Sequence, residues 1–134
     1  MKKRKIIAVM GRQGVGKSTT IRLAYNRIMT DPKVSYSEFR VVGRKDFVAV
    51  VVRARLCIWF ISQGDTIEHV KKHRKFLAKR YAHDVIICAI RSKGATKAYI
   101  EGHKPDYDVR WETLKVRGTT AQQKRHAKRI LDLM

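Results

Sequence analysis

The sequence predicts a single α/β domain built on a mostly parallel sheet. Short apolar runs that suit strands alternate along the chain with stretches in which apolar residues recur at helical spacing. A glycine-rich segment follows the first of these runs directly. A length of 134 residues allows a sizeable core, and an apolar share of 44% is typical of a folded globular chain. We therefore expect one domain over residues 1–134.

The first half of the chain predicts one helix among four strands. The predicted elements, in order, are a strand over 5–10, a helix over 18–29, and strands over 38–42, 47–52 and 56–61. The pair Asp31-Pro32 ends the helix. Three residues, 53–55, separate the last two apolar runs, so 47–61 is predicted to be a hairpin that contributes one antiparallel strand.

The second half alternates more regularly between helix and strand. Its predicted elements are a helix over 66–81, a strand over 84–90, a short helix over 95–101, a strand over 108–111 and a helix over 120–133. The run DVIICAI at 84–90 is apolar throughout, which predicts a central strand. Thr119 and Thr120 open the last helix, and Thr120 with Gln123 has the spacing of a capping box.

The charge balance is strongly positive. The chain carries 31 Lys and Arg against 11 Asp and Glu, a formal net charge of +20. Such a surface attracts polyanions, nucleic acid first and anionic lipid or an acidic protein next. Two basic clusters are predicted to contact nucleic acid backbone with little sequence specificity, unless they are only solvated helix faces. They are 71–75 with Lys79 and Arg80, and the set Lys124, Arg125, Lys128 and Arg129.

The sequence favours a cytoplasmic protein without a membrane partner. The first apolar run is shorter than a secretory signal requires, and no apolar stretch is long enough to span a bilayer. Cys57 and Cys88 each lie inside an apolar run without metal-ligand spacing, which predicts buried free thiols in a reducing compartment.

Residues 11–18, GRQGVGKS, form the segment most informative about function. Glycines let the backbone curl so that successive N–H groups point at phosphate oxygens, and the following helix adds its positive end. Lys17 is predicted to neutralise the β- and γ-phosphates and Ser18 to bind Mg²⁺. A plain glycine turn would not explain Gly16-Lys17-Ser18 in that order. The predicted nucleotide contacts are Gly11, Arg12, Gln13, Gly14, Val15, Gly16, Lys17, Ser18 and Thr19.

This segment resembles the Walker A motif, G-x-x-x-x-G-K-[ST], of the P-loop NTPase superfamily. The resemblance rests on residues 5–19 and the α/β order behind them. It implies a three-layer domain that binds a nucleoside triphosphate and Mg²⁺ at the carboxyl ends of the strands. It does not select among kinases, GTPases and ATPases. The string closest to the GTPase motif N-K-x-D is HKPD at 103–106, which precedes a strand and lacks the asparagine, so ATP is favoured. The order of loop, helix, hairpin and polar loop also resembles the small GTPases, which leaves GTP as the alternative.

The superfamily also places an acidic residue after a hydrophobic strand, on the Mg²⁺ side. Here the strand over 56–61 is followed by SQGD. Asp65 is therefore predicted to support the metal, with Ser62 as a second contact, while Gln63 orients water and Gly64 lets the backbone approach the γ-phosphate. The alternative is that 62–66 is only a helix start, capped by Asp65 or Thr66.

Three further groups have a predicted role and an alternative. Arg91, or Lys93, follows the central strand and could stabilise a transferred phosphoryl group, as lid arginines do in similar small kinases. Arg12 stands where deviant Walker A ATPases have a lysine that reaches across a dimer, which suggests a homodimer; the alternative is a solvent-facing arginine. Asp65, His69 and His73 have metal-ligand spacing along one helix, but their basic neighbours favour a solvated face.

The favoured function is an ATP- and Mg²⁺-binding P-loop NTPase that hydrolyses ATP on or beside nucleic acid. Its turnover is expected to be slow alone and raised by a partner, because no in-line catalytic acid is evident. The predicted catalytic residues are Lys17, Gln63, Asp65 and Arg91, and the predicted metal ligands are Ser18 and Asp65. One alternative is a small kinase that phosphorylates a nucleotide or similar anionic metabolite. Another is a nucleotide-gated binding subunit without turnover.

Overall fold

The computed structural model describes residues 3–92 and 94–134. Within them, six strands and four helices follow the alternation that the apolar pattern predicts. The strands are β1 (Arg4–Met10), β2 (Val34–Val42), β3 (Asp46–Arg53), β4 (Leu56–Ile61), β5 (Val85–Ile90) and β6 (Tyr107–Thr113). The helices are α1 (Lys17–Ile28), α2 (Ile67–Ala78), α3 (Ala95–Glu101) and α4 (Thr120–Asp132).

All six strands join one sheet in the order β2-β3-β4-β5-β1-β6. Neighbouring strands from β4 to β6 pair in parallel, whereas β3 runs antiparallel to both β2 and β4. The predicted mostly parallel sheet with one antiparallel strand is thus confirmed. All six residues of β5 are buried, and the strand lies between β4 and β1. Its continuous apolar run is explained by helices that cover both faces.

Two apolar cores flank the sheet and make the domain three layers deep. Alternate residues of each strand face opposite sides: Ile7 and Val9 pack with α1 and α4, and Ile6 and Ala8 pack with α2 and α3. The two helices with predicted basic clusters, α2 and α4, therefore lie on opposite faces of the sheet.

The edge strand β2 is longer than its sequence predicts. It begins at Val34 rather than at residue 38, and most of its side chains are exposed. An edge strand needs little apolar surface, so its first half carries no apolar run. The turn between β3 and β4 has two residues rather than three, because Arg53 pairs with Leu56.

Several helix and strand ends also differ from the prediction. The capping box of α4 joins Thr119 to Gln122, not Thr120 to Gln123. Gln123 is instead buried beneath the glycine-rich segment, where a side chain at Gly16 would lie 3.0 Å from its amide nitrogen. Helix α2 ends at Ala78, three residues early, and β6 extends to Thr113. No helix among the described residues is long and apolar enough to cross a bilayer.

Candidate functional site

The glycine-rich segment, residues 11–18, connects the end of β1 to the start of α1. It lies at the carboxyl end of the parallel strands. Gly14 and Gly16 have φ angles of +85° and +93°, a left-handed conformation that side chains disfavour. Gly11 packs so closely that a side chain there would lie 2.8 Å from the Leu114 carbonyl oxygen. The glycines are thus required by the shape of this loop.

Lys17 folds back across the loop that precedes it. Its Nζ donates hydrogen bonds to the carbonyl oxygens of Gly11, at 2.7 Å, and Arg12, at 3.1 Å. Only 7% of the residue is exposed, and this burial lowers the pKa of the ammonium, while the charge of nearby Asp65 opposes that shift. A buried cation is therefore held at the centre of the loop.

The carboxylate beside Ser18 is that of Asp46, not Asp65. The Ser18 hydroxyl donates to Oδ1 of Asp46. The Ser62 hydroxyl donates to the same oxygen at 3.0 Å and accepts from the Phe47 amide at 2.8 Å. A hydroxyl and a carboxylate oxygen at one point are ligands that suit Mg²⁺. Ser62 thus lies where the sequence places it, whereas Asp46 was missed.

The direction of β3 explains why Asp46 was missed. Sequence reasoning looked for acids after strands, since carboxyl ends of parallel strands share one edge. Because β3 is antiparallel, its first residue, Asp46, lies at the edge where β4 ends. The predicted hairpin over 47–61 already carried this signal, since its pairing brings Asp46 next to the residues that follow β4.

Asp65 and Arg91 lie together at the rim of the loop. Their side chains are each 43% exposed, with 3.9 Å between Arg91 Nε and Asp65 Oδ1. Arg91 also donates to Gln13 Oε1 at 3.1 Å, which places it beside the glycine-rich segment as predicted. Lys93, the other basic residue predicted here, lies outside the described residues.

Gln63 bonds to α2 through its side chain. Its Oε1 lies 2.7 Å from His73 Nε2, so the ring donates and the amide oxygen accepts. His73 is 5% exposed, and burial lowers its pKa, which favours the neutral ring. The expected solvated face is therefore wrong for His73, which shares the buried stripe of α2 with Val70 and Leu77.

The segment after β4 does begin a helix, but Thr66 alone caps it. The Thr66 side chain accepts from the His69 amide, which leaves Asp65 at the loop. Among residues 3–92 and 94–134, no three His, Cys, Asp or Glu side chains form a group that could hold a metal. The metal spacing of Asp65, His69 and His73 is therefore not realised.

A cavity of about 510 Å³, here called the loop cavity, opens in front of these groups. It is lined by Gln13, Gly14, Gly16, Lys17, Ser18, Thr19, Lys45, Asp46, Ser62, Asp65 and Arg117. Among the predicted nucleotide contacts, Val15 is buried and Arg12 is exposed. Lys45 and Arg117 come from a turn and a loop, and among 31 basic residues no sequence signal distinguished them. Three cations and two carboxylates thus face one cavity large enough for a small-molecule anion.

If Ser18 and Asp46 hold Mg²⁺ beside a nucleotide in the loop cavity, replacing Asp46 with asparagine is expected to weaken Mg²⁺-dependent nucleotide binding by at least about tenfold, because the amide loses the charge that a divalent ion needs. The matched variant Asp65→Asn removes the same charge from the rim and should cost less than about threefold. Calorimetric titration with ATP, with and without Mg²⁺, measures both effects. Equal losses from the two variants would contradict the assignment of Asp46.

Each basic cluster, on α2 and on α4, contains an arginine that makes hydrogen bonds within the fold. On α2, Arg74 donates to the Tyr99 hydroxyl at 2.9 Å and the Tyr107 hydroxyl at 3.3 Å. On α4, Arg129 donates to the buried Glu112 carboxylate at 2.8 Å. These two guanidinium groups are therefore part of the folded structure as well as of the charged surface.

Comparison with protein-family models, with curated proteins and with solved structures finds no match for this chain.

Proposed function

We propose that this chain is an ATP- and Mg²⁺-binding P-loop NTPase that hydrolyses ATP on or beside nucleic acid. The observation that carries the proposal is the arrangement around the glycine-rich loop. Lys17 crosses the loop as a buried cation, and the next residue, Ser18, bonds to the Asp46 carboxylate. Strand, loop and helix thus form the context in which a Walker A sequence binds phosphates.

Each group has a definite part in such a site. The loop amides and Lys17 would bind the β- and γ-phosphates, where the Lys17 ammonium would exchange its carbonyl partners for phosphate oxygens. Ser18 and Asp46 would hold Mg²⁺, which supplies positive charge between the phosphates when bound. Arg91, Lys45 and Arg117 surround the cavity opening or line it, and their charges would favour a trianion or tetraanion over a neutral ligand.

The bond between Gln63 and His73 supports slow turnover by the isolated chain. A glutamine that orients the attacking water must direct its amide at the phosphate end of the cavity. Here the amide oxygen accepts a hydrogen bond from His73, whose pKa is lowered by burial. We expect a partner, such as nucleic acid, another protein or a second copy, to raise turnover by releasing Gln63. A second copy of the chain that contacts the site through Arg12 is one such partner.

One observation favours the kinase alternative. Arg91 donates a hydrogen bond to Gln13 in the glycine-rich loop, and it directly follows β5. A cation there could stabilise a phosphoryl group during transfer to an acceptor as well as to water. Hydrolysis and kinase activity therefore differ in the molecule that accepts the phosphoryl group, water or a metabolite, and not in the glycine-rich loop.

Turnover assays separate the candidates. The proposal predicts Mg²⁺-dependent release of phosphate from saturating ATP, raised at least about tenfold by single- or double-stranded DNA or RNA. As a control, Lys33→Gln removes an exposed charge outside the loop cavity and should give the same turnover as the unaltered chain. Phosphate transfer to a nucleoside monophosphate, without stimulation by nucleic acid, would instead establish the kinase. Tight ATP binding without any turnover would establish a nucleotide-gated binding subunit.

A further inference from the structure

A second cavity is lined in part by the segment that joins β6 to α4. Its volume is about 290 Å³, and we call it the α4 cavity. Lys115 and Gly118 of the joining segment form one wall, and Arg125, His126 and Arg129 of α4 form the other. Arg117, from the same joining segment, lines the loop cavity. The segment that joins β6 to α4 therefore contributes residues to both cavities.

The walls of the α4 cavity are fixed in place. Glu112 is 8% exposed, and its carboxylate accepts hydrogen bonds from Arg129 Nε at 2.8 Å and His126 Nδ1 at 2.5 Å. The Thr119–Gln122 capping box orders the first turn of α4. At Gly118 the joining segment comes so close to α4 that a side chain would lie 2.6 Å from Gln122 Oε1. Basic side chains are thus presented from a rigid support.

The charge of this surface is of one sign. Residues 113–131 contain six Lys and Arg and no Asp or Glu. Lys124, Arg125 and Lys128 are exposed on α4, and so is Arg129, which bonds to Glu112. They extend from the α4 cavity along the helix, because residues three and four positions apart lie on one helical face. Such a row of charges matches successive phosphates of a chain better than a single phosphate ion.

The α2 surface is less uniform in charge than the α4 surface. Arg74 is bound to Tyr99 and Tyr107, and the Lys71 ammonium lies 5.3 Å from the Tyr99 ring centroid. Glu68 adds a carboxylate in the first turn of α2. The α2 cluster also lies across the sheet from α4, so one nucleic acid strand cannot follow both helices over a short path.

We propose that the α4 cavity and the exposed basic row of α4 form the binding surface for a nucleic acid backbone. This surface starts at Arg117 at the loop cavity and continues through Lys115 and Arg125 to Lys128. It deepens the proposed function, on whose nucleic acid partner it rests, by naming the surface that contacts that partner. The contacts are to phosphates, so binding depends strongly on salt and weakly on base sequence.

Two matched triple variants test this surface. The first, Lys124→Gln with Arg125→Gln and Lys128→Gln, removes three charges from α4. The second, Lys72→Gln with Lys75→Gln and Lys79→Gln, removes three exposed charges from α2 and its C-cap. Binding is followed by the fluorescence anisotropy of labelled oligonucleotides of about 20 nucleotides, longer than a typical single-strand site. Titrations run without ATP, between about 50 and 200 mM salt.

The α4 variant is expected to bind at least about tenfold more weakly, with a salt slope lower by about 2, since each lost phosphate contact contributes about 0.7 for a single strand. The α2 variant should lose less than about threefold. Equal losses, or a larger loss from α2, would overturn the proposed surface while leaving ATP hydrolysis untouched. Displacement of the oligonucleotide by polyglutamate at equal charge concentration would overturn nucleic acid as the partner. Because these titrations contain no ATP, the α4 variant should bind the oligonucleotide more weakly even if the chain does not hydrolyse ATP.

Discussion

Replacing Lys17 with alanine is expected to weaken ATP binding by at least about 100-fold, equivalent to about 2.7 kcal/mol. The ammonium is buried at the centre of the glycine-rich loop, where its charge is less screened than at the surface. In the proposed complex it is the cation held deepest in the cavity. Calorimetric titration with ATP and Mg²⁺ measures the loss directly.

The loop itself depends in part on Lys17, so the variant needs two controls. Without Nζ, the carbonyl groups of Gly11 and Arg12 lose a donor. Circular dichroism should nevertheless show an intact domain, because the Lys17 side chain belongs to neither apolar core. Lys45→Ala removes a second cation from the loop cavity and should weaken binding less than about tenfold. A folded Lys17→Ala protein with unchanged affinity would exclude the loop as the phosphate site.

The layer structure could be predicted from the sequence because it depends on periodicity alone. Continuous apolar runs predicted strands buried on both sides, and β5, the most apolar of them, is central. The glycine-rich segment could be placed because its neighbours were a clear strand and a clear helix. Edge strand β2 was predicted at half its length, since an exposed strand needs little apolar pattern.

The site could be predicted only where it follows the chain locally. Lys17 and Ser18 lie within one motif, and both line the loop cavity. Asp46 comes to Ser18 through the antiparallel pairing of β3 with β4, a contact between residues 28 positions apart. His73 was expected on a solvated face because its neighbours in sequence are basic. Its actual partner, Gln63, approaches from a different element.

The structure gives a reason for the glycine at position 64 that the sequence did not suggest. Its place in the segment SQGD predicted a backbone that approaches the γ-phosphate. In the structure Gly64 packs against β5, and a side chain there would lie 1.6 Å from the Ala89 carbonyl oxygen and 2.5 Å from its carbon. Both of these atoms belong to the backbone of a fully buried strand, so neither can move away easily.

Gly64→Ala is therefore expected to destabilise the domain by at least about 3 kcal/mol, the upper part of the range for overpacked cores. For a chain of this length, that loss corresponds to a Tm lower by about 10 °C or more. Gly102→Ala is the matched control, because Gly102 has a helical φ of −63° and its nearest contact to a new side chain is 3.4 Å. That variant should be neutral or slightly more stable, since alanine restricts the unfolded chain. Thermal unfolding of both proteins measures the difference. Equal Tm values would mean that the segment after β4 can move away from β5, and the positions of Gln63 and Asp65 would then not be fixed by this contact.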